Sequence, residues 1–374
     1  MSSPDDFDIA IVGGGLVGGA IGYGLVRGGL HVALLDEGDI AYRASRGNFG
    51  LVWVQGKGLG LAPYSNWTQL SARRWPELAA LLRTDADTDV MLEQPGGFHL
   101  CLSERELEHR VQTLTRLVEQ PGLERYPFEV LDHAALADRI PGIGSGVVGG
   151  TYTALDGHVN ALKLLRALHT GFLKHGGFYL PNTRIESVRR SGERFDLQAK
   201  NKTFQASKIV LASGLGNAQL APQVGLVAPV RPQRGQILVL ERVRRFLHHP
   251  IATLRQTDEG TVLVGDSQEE AGFNDSVGMA ILATLADRAV RTFPTLRDVR
   301  INRTWAALRV MSPDGFPIYD HSRAHPGAFL ATCHSGVTLA AVHALELAPQ
   351  IVAGELERRL QPFSAERLNV QKAA

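Results

Sequence analysis

The sequence predicts an α/β fold: a Rossmann-like nucleotide-binding domain, discontinuous along the chain, interwoven with a mixed-sheet α+β domain. Three observations predict it. A β-branched run enters a glycine-rich turn near the N-terminus; strand-like runs recur in the middle and near the C-terminus; and two intervening stretches carry strands and amphipathic helices of their own. At 374 residues the chain also exceeds the length at which one core usually stops growing, so two domains are expected.

Phe7 to Val12 is a short apolar run suited to a buried parallel strand. It leads into Gly13-Gly14-Gly15-Leu16-Val17-Gly18, then a helical stretch ending near Gly28-Gly29, then a second strand from His31 to Asp36. In that setting each spaced glycine has a task. Gly13 permits the tight turn, Gly15 lets the backbone approach a pyrophosphate, and Gly18 lets the helix pack closely on the strand. The helix N-terminus, at Leu16 and Val17, then aims unsatisfied N–H groups at the phosphates. Asp36, with Glu37 beside it, ends the second strand, where a carboxylate accepts bonds from the adenosine ribose and repels a 2′-phosphate. That argues against NADP. Gly18, Gly19, Gly22 and Gly24 each cost the helix roughly 1 kcal/mol against alanine, and close packing is the expected compensation.

Small and polar residues follow at Ala44-Ser45-Arg46-Gly47-Asn48-Phe49-Gly50-Leu51, a segment able to wrap a pyrophosphate and the chain beyond it. A meander of short strands is expected at Thr183–Arg190, Phe195–Ala199, Thr203–Ala206 and Lys208–Ala212, running into Ser213-Gly214-Leu215-Gly216. Phe329–Thr332 reads as a strand, Cys333 to Gly336 as a turn, and Val337 to about Val352 as a helix with Gly354 just past its end. A nucleotide domain assembled from both chain ends and a middle section suits a flavin better than a contiguous NAD domain. The expected division is 1–84, 151–225 and 303–374 for the FAD-binding domain, with 85–150 and 226–302 for the substrate-binding domain. In the latter, Gly97–Leu102, Gly235–Leu240 and Thr261–Gly265 read as strands, and Glu104–Val118 and Val277–Phe293 as helices.

A formal net charge of +1 offers no field for nucleic acid or an anionic membrane. Cys101 and Cys333 are too few to ligate zinc or an iron–sulfur cluster, and read as buried thiols of a cytoplasmic protein. No metal is expected. Met1 to Asp8 carries acids and no basic region, unlike a signal peptide, and the apolar run from Ile9 to Leu35 is too interrupted to span a membrane.

Six segments together resemble the D-amino-acid oxidase superfamily of FAD enzymes, in its glycine oxidase and sarcosine oxidase branch. They are Ile11–Asp36, Leu155–Asn160, Ile209–Gly216, Pro229–Gln236, Trp305–Ile318 and His334–Thr338. Within that branch, Arg46 to Lys57 (RGNFGLVWVQGK) is most similar to the flavin subunits of hydrogen cyanide synthase, opine oxidase and D-hydroxyproline dehydrogenase. The resemblance implies a GR2-type FAD-binding domain in which Ser45, Arg46, Asn48, Phe49, Gly50 and Leu51 line the cofactor. It also implies that Val188 reaches the adenine, that Ala212, Ser213, Gly214 and Leu215 abut the diphosphate, and that His334, Ser335, Gly336, Val337 and Thr338 sit at the isoalloxazine. Where the sarcosine oxidase pattern has a flavin-linking cysteine, seven residues before Asp314, this chain has Ala307, so FAD is expected to be held non-covalently.

Oxidation of an amino acid at its Cα–H requires an anchored carboxylate and a neutral amine facing the flavin. Arg309 is the expected anchor, since a planar guanidinium matches a carboxylate in bidentate geometry; an ion pair with Asp314 or another acid is its structural alternative. The second arginine of glycine oxidases, after the C-terminal histidine, is missing here, which counts against simple glycine oxidation. His334 is placed as a flavin-side residue, Trp53 and Gln55 as candidates for the substrate face, His158 as a packing or capping residue, and His248-His249 as surface. Two electron acceptors remain open: dioxygen, or an iron–sulfur partner subunit in a multi-subunit dehydrogenase. A non-catalytic flavin-binding assembly subunit is a third reading, which the presence of Arg309 disfavours.

Overall fold

The protein is described by a computed structural model covering residues 6–38 and 44–370; the ends of the expected FAD-binding domain, and residues 39–43 within it, lie outside that description. Four parallel pairings build its main sheet. Asp6–Val12 lies between Lys202–Leu211 and Val32–Leu35, with Ile11 opposite both Val210 and Leu34. Ala328–Thr332 continues the sheet beyond Lys202–Leu211, and Phe178–Leu180 beyond Val32–Leu35. Ile318–His321 closes one side antiparallel. The central strands are apolar on both faces, as a sheet covered on both sides demands.

The meander stands off this sheet: Arg194–Ala199 pairs antiparallel with the start of Lys202–Leu211, and Ile185–Ser191 pairs antiparallel with Arg194–Ala199. The two strands expected at Thr203–Ala206 and Lys208–Ala212 are one continuous strand. Its N-terminal half pairs with the meander and its C-terminal half with the parallel sheet, so nothing breaks it between the two tasks.

On one face of the sheet the Leu16–Arg27 helix packs against the Ala161–Lys174 helix and the C-terminal helical run. The glycines let it approach. A Cβ on Gly24 would overlap the Ala344 carbonyl, and one on Gly22 would press Phe172 and Ile11. Gly24→Ala is therefore expected to cost about 1–3 kcal/mol, read as a lowered denaturant midpoint, because the obstacle is backbone and cannot rotate away.

The expected Val337–Val352 helix is present in a modified form: turns from Gly336, α at Ala340–Val342, a π segment at His343–Leu347, and α again at Ala348–Ala353 before Gly354 at φ +91°. Pro349 has no N–H and its ring crowds the carbonyl four residues back, which opens the preceding turn. No sequence expectation covers the Ala62–Ala86 helix, which contains Pro76 and buries Trp75 completely.

The second half of the molecule is built on Arg231–Arg242, antiparallel to both Ile301–Met311 and Thr261–Val264, with Leu254–Gln256 beyond. A smaller antiparallel sheet of Gly97–Cys101, Gly149–Thr153 and Glu129–Asp132 adjoins it through a parallel bridge between Phe98 and Ile251. The expected boundaries at 151 and 303 fall inside two of these strands, whose pairing partners lie within 85–150 and 226–302. Helices Glu104–Glu119 and Met279–Thr292 stand close to where their apolar spacing placed them. The core under this sheet centres on Phe98, Leu238, Val262 and Phe293.

Candidate active site

Two cavities meet where the halves join. The first is a channel of about 220 Å³ over the C-terminal ends of the parallel strands. Gly13, Gly15, Leu16, Val17, Asp36, Glu37, Ser45 and Asn48 line it, as do Ala212, Ser213, Gly214, Leu215, His334 and Gly336. The second, about 330 Å³, lies under the sheet built on Arg231–Arg242 and shares Ala44, Asn48 and His334 with the first.

Backbone carries much of the channel. Gly13 sits at φ +108°, and a Cβ there would overlap the Ala212 carbonyl; a Cβ on Gly15 would press the Ser45 hydroxyl. Ser45 Oγ accepts the Leu16 N–H at 2.9 Å, tying the wrapping segment to the helix N-terminus. Asp36 is buried, its carboxylate accepting from the Gly14 N–H at 2.6 Å and the Gly38 N–H at 3.1 Å. It therefore shapes the glycine turn, while the exposed Glu37 stands next to it on the channel wall. This run of open backbone, acid and helix N-terminus is the cradle an elongated dinucleotide requires, and these residues fit FAD.

Several of the expected cofactor contacts lie off the channel wall. Val188 is fully buried in the core with its N–H bonded to Gln223; Thr183, Arg184 and Ile185, at the start of the same meander, line the channel instead. Gly18 faces the Gly13 carbonyl, serving helix packing as expected. Arg46 is exposed, and Gly50 packs at φ +93° against Val159 and Arg255; neither lines a cavity. Phe49, Leu51, Ser335, Val337 and Thr338 line the second cavity rather than the channel. Thr338 Oγ1 accepts the Trp53 N–H at 3.1 Å and donates to the Leu51 carbonyl at 3.2 Å, joining the wrapping segment to the C-terminal turn.

Strand periodicity explains the second cavity. Ala307, Arg309 and Met311 alternate onto its wall, as do Gln233, Gly235 and Ile237 on the paired strand, while Leu308 and Val310 face the channel. Gly235 leaves room for the Arg309 guanidinium, which a Cβ would strike. Arg309 Nη1 donates to the Ser267 carbonyl at 2.7 Å, and Nη2 to Asp266 Oδ1 at 3.1 Å. Asp314, the acid nearest in sequence, pairs with Arg367 instead. Asp266 is a non-glycine residue at φ +95°, strain of about 1–3 kcal/mol that surrounding structure must hold. Burial raises its pKa, and Arg309 and Lys57 oppose that rise.

Trp53 lines this cavity. Gln55 is buried behind it, donating to Asp156 and to the Gly97 carbonyl, and accepting from Arg110 and Thr151. His158 packs against Arg255, and His249 bonds the Gly96 carbonyl. Sequence reasoning missed Lys57, His99 and Asp266 on the cavity wall. Lys57 stood inside the quoted motif and was findable; the turn that aims Asp266 inward has no sequence signal.

Burial and the charges of Lys57 and Arg309 push His334 down to about 3. Its conjugate acid forms only well below neutrality, so the imidazole is neutral at pH 7. His334→Asn is expected to leave the shape of the pH profile for flavin reduction unchanged over roughly pH 5 to 8, where an ordinary imidazole titrates. A limb lost in the variant, measured by anaerobic stopped flow, refutes this.

Burial raises both thiols, Cys101 to about 11 and Cys333, on the channel wall, to about 12. Among the described residues no cluster of His, Cys, Asp or Glu could hold a metal ion, and no helix is long and apolar enough to cross a membrane.

Comparison with known proteins agrees with this geometry. The family described as FAD dependent oxidoreductase matches residues 8–350. An opine oxidase subunit of Agrobacterium tumefaciens (strain Ach5) is 47% identical over 368 residues, covering 98% of this chain and 99% of the relative. The HcnC subunit of hydrogen cyanide synthase from Pseudomonas aeruginosa is 28% identical, with 98% of each covered. The crystal structure of glycine oxidase from Geobacillus kaustophilus superposes with a TM-score of 0.87 at 25% identity, covering 96% of this chain and 98% of that one. The chain belongs to the D-amino-acid oxidase superfamily of FAD-dependent oxidoreductases and is an enzyme of C–N oxidation.

Proposed function

We propose that this chain is the flavin subunit of a multi-subunit dehydrogenase that oxidises the C–N bond of an opine, a secondary amine joining an amino acid to a second carboxylated carbon. The observation that carries the reading is Arg309, standing on the wall of a cavity that opens directly onto the FAD channel. The near-complete coverage of an opine oxidase subunit at 47% identity supports the substrate class.

Bound FAD, held without a covalent link, supplies the hydride acceptor. Arg309 binds one substrate carboxylate and so turns the Cα–H toward the channel. Neutral His334 leaves the amine unopposed by a nearby imidazolium. Trp53, Leu51 and Val337 line the cavity with apolar surface that displaces water.

Electrons leave to an iron–sulfur partner in this reading, and the complex is cytoplasmic. Relatives named as subunits support a partner, and the chain's two cysteines lie apart, one in the substrate half and one on the channel wall. The test is anaerobic mixing of the FAD-loaded protein with opines, N-methyl amino acids, hydroxyproline isomers and free amino acids. Opines should bleach the flavin band fastest, and reoxidation should be faster with the partner subunits than with dioxygen. Bleaching by glycine or a free amino acid alone overturns the substrate assignment.

A further inference from the structure

Lys57 is a cation on the cavity wall that the steps above leave unused. It follows the turn at Gly56 (φ +84°), in a loop fixed from behind. Asp156 is buried and accepts from the Val54 N–H at 2.5 Å, the Gln55 N–H at 3.2 Å and Gln55 Nε2 at 2.6 Å; Gly56 N–H donates to the Tyr126 hydroxyl at 3.1 Å. The ammonium is thus delivered from a rigid platform.

Its own bonding is sparse. Lys57 Nζ donates to Ser335 Oγ at 2.5 Å, and that hydroxyl is shared with Tyr64 at 2.9 Å and His334 at 3.2 Å. The Tyr64 ring lies 5.9 Å away. Among the described residues no carboxylate lies within ion-pair distance of Lys57, although Asp156 and Asp266 act on it from farther off. Burial pushes the ammonium down to about 8, the mark of a cation without enough anionic contact. A neutral hydroxyl uses one of its three donors.

Arg309 reaches the same cavity from the Ile301–Met311 strand. Both cations act on His334 and on Asp266, which places them around one space. One carboxylate needs one anchor. A secondary amine with a carboxylated carbon on each side of nitrogen presents two.

We propose that Lys57 is a specificity-determining residue that binds the second carboxylate of such a substrate, while Arg309 binds the first. The assignment rests on reading the cavity as a site for a carboxylated amine, and it adds the residue that makes one carboxylate insufficient. It also accounts for the loop's heavy buttressing, since a mobile lysine would discriminate poorly.

The test uses the FAD-loaded protein and two thioethers, thiodiacetate and (methylthio)acetate, whose sulfur replaces the oxidisable nitrogen. Dissociation constants come from calorimetry for the wild type, Lys57→Met and Lys57→Arg. The wild type should prefer the dicarboxylate by about tenfold or more. Lys57→Met should cut that preference by about tenfold, and Lys57→Arg should restore most of it. Flavin absorbance and the thermal midpoint report whether each variant is folded and loaded; if Lys57→Met is not, Lys57→Gln, which keeps a donor for Ser335, should show the same lost preference. An unchanged preference, or equal loss for both ligands, overturns the role of Lys57 and leaves the carboxylated-amine reading standing. Failure of both thioethers to bind the wild type overturns that reading as well.

Discussion

Arg309→Ala should raise KM for carboxylated amines by roughly 30- to 1000-fold, equivalent to about 2–4 kcal/mol, with FAD still bound. The size follows from where the guanidinium sits. The Ser267 carbonyl bond fixes one edge, and the antiparallel register with Gln233 fixes the backbone beneath it. An incoming carboxylate meets a donor already aimed, so little ordering remains to oppose binding. Asp266 moderates the gain, because it holds the other edge and must share it with substrate. Steady-state and anaerobic reduction kinetics check the outcome. An unchanged KM removes Arg309 from the site, and loss of flavin colour would mean that it serves the cofactor instead.

The second large effect is expected at Gly13→Val, which should purify colourless. A β-branched residue at φ +108° is strained by about 1–3 kcal/mol. Its Cβ would also meet the Ala212 carbonyl and Ser213 Cα, both backbone atoms of the channel floor, at a further cost of about 1–3 kcal/mol. The turn relieves these costs by leaving its native path, and regaining that path to hold FAD then predicts an affinity reduced about 1000-fold, near 4 kcal/mol. Gly29→Val is the control: it has φ +81°, nothing within contact of its missing side chain, and a place away from the channel. That variant should be less stable yet keep its yellow colour. Full flavin absorbance in Gly13→Val would refute the cradle.

Elements whose signal is local were readable in the sequence. The strand beginning near Phe7, the glycine turn and the helix over Glu104–Glu119 each follow from apolar spacing and punctuation over a dozen residues. The Ile301–Met311 strand, whose alternation sets Arg309 beside Ala307 and Met311, is not among the expected elements. What failed depended on distant partners. Pro76 suggests a break, but the Ala62–Ala86 helix continues because Trp75 and its neighbours are clamped by the C-terminal turn, with Trp75 Nε1 on the Thr338 carbonyl. Val188 matches the family pattern for an adenine contact yet lies buried, while the rim that faces the channel ends three residues earlier at Ile185. Asp266 owes its position to an unusual backbone angle that residue type does not encode.

The order of strands in the main sheet has a consequence for how the enzyme is made. Asp6–Val12 has one neighbour close by at Val32–Leu35, but the other, Lys202–Leu211, is made roughly two hundred residues later, and that strand pairs in turn with Ala328–Thr332. No intermediate that lacks Ala328–Thr332 can display a finished groove, so cofactor capture follows the synthesis of that strand. Until then the apolar Phe7–Val12 edge is exposed to any other unpaired strand. Riboflavin-starved cells should therefore lose this protein to aggregation or proteolysis rather than accumulate a patient apoenzyme.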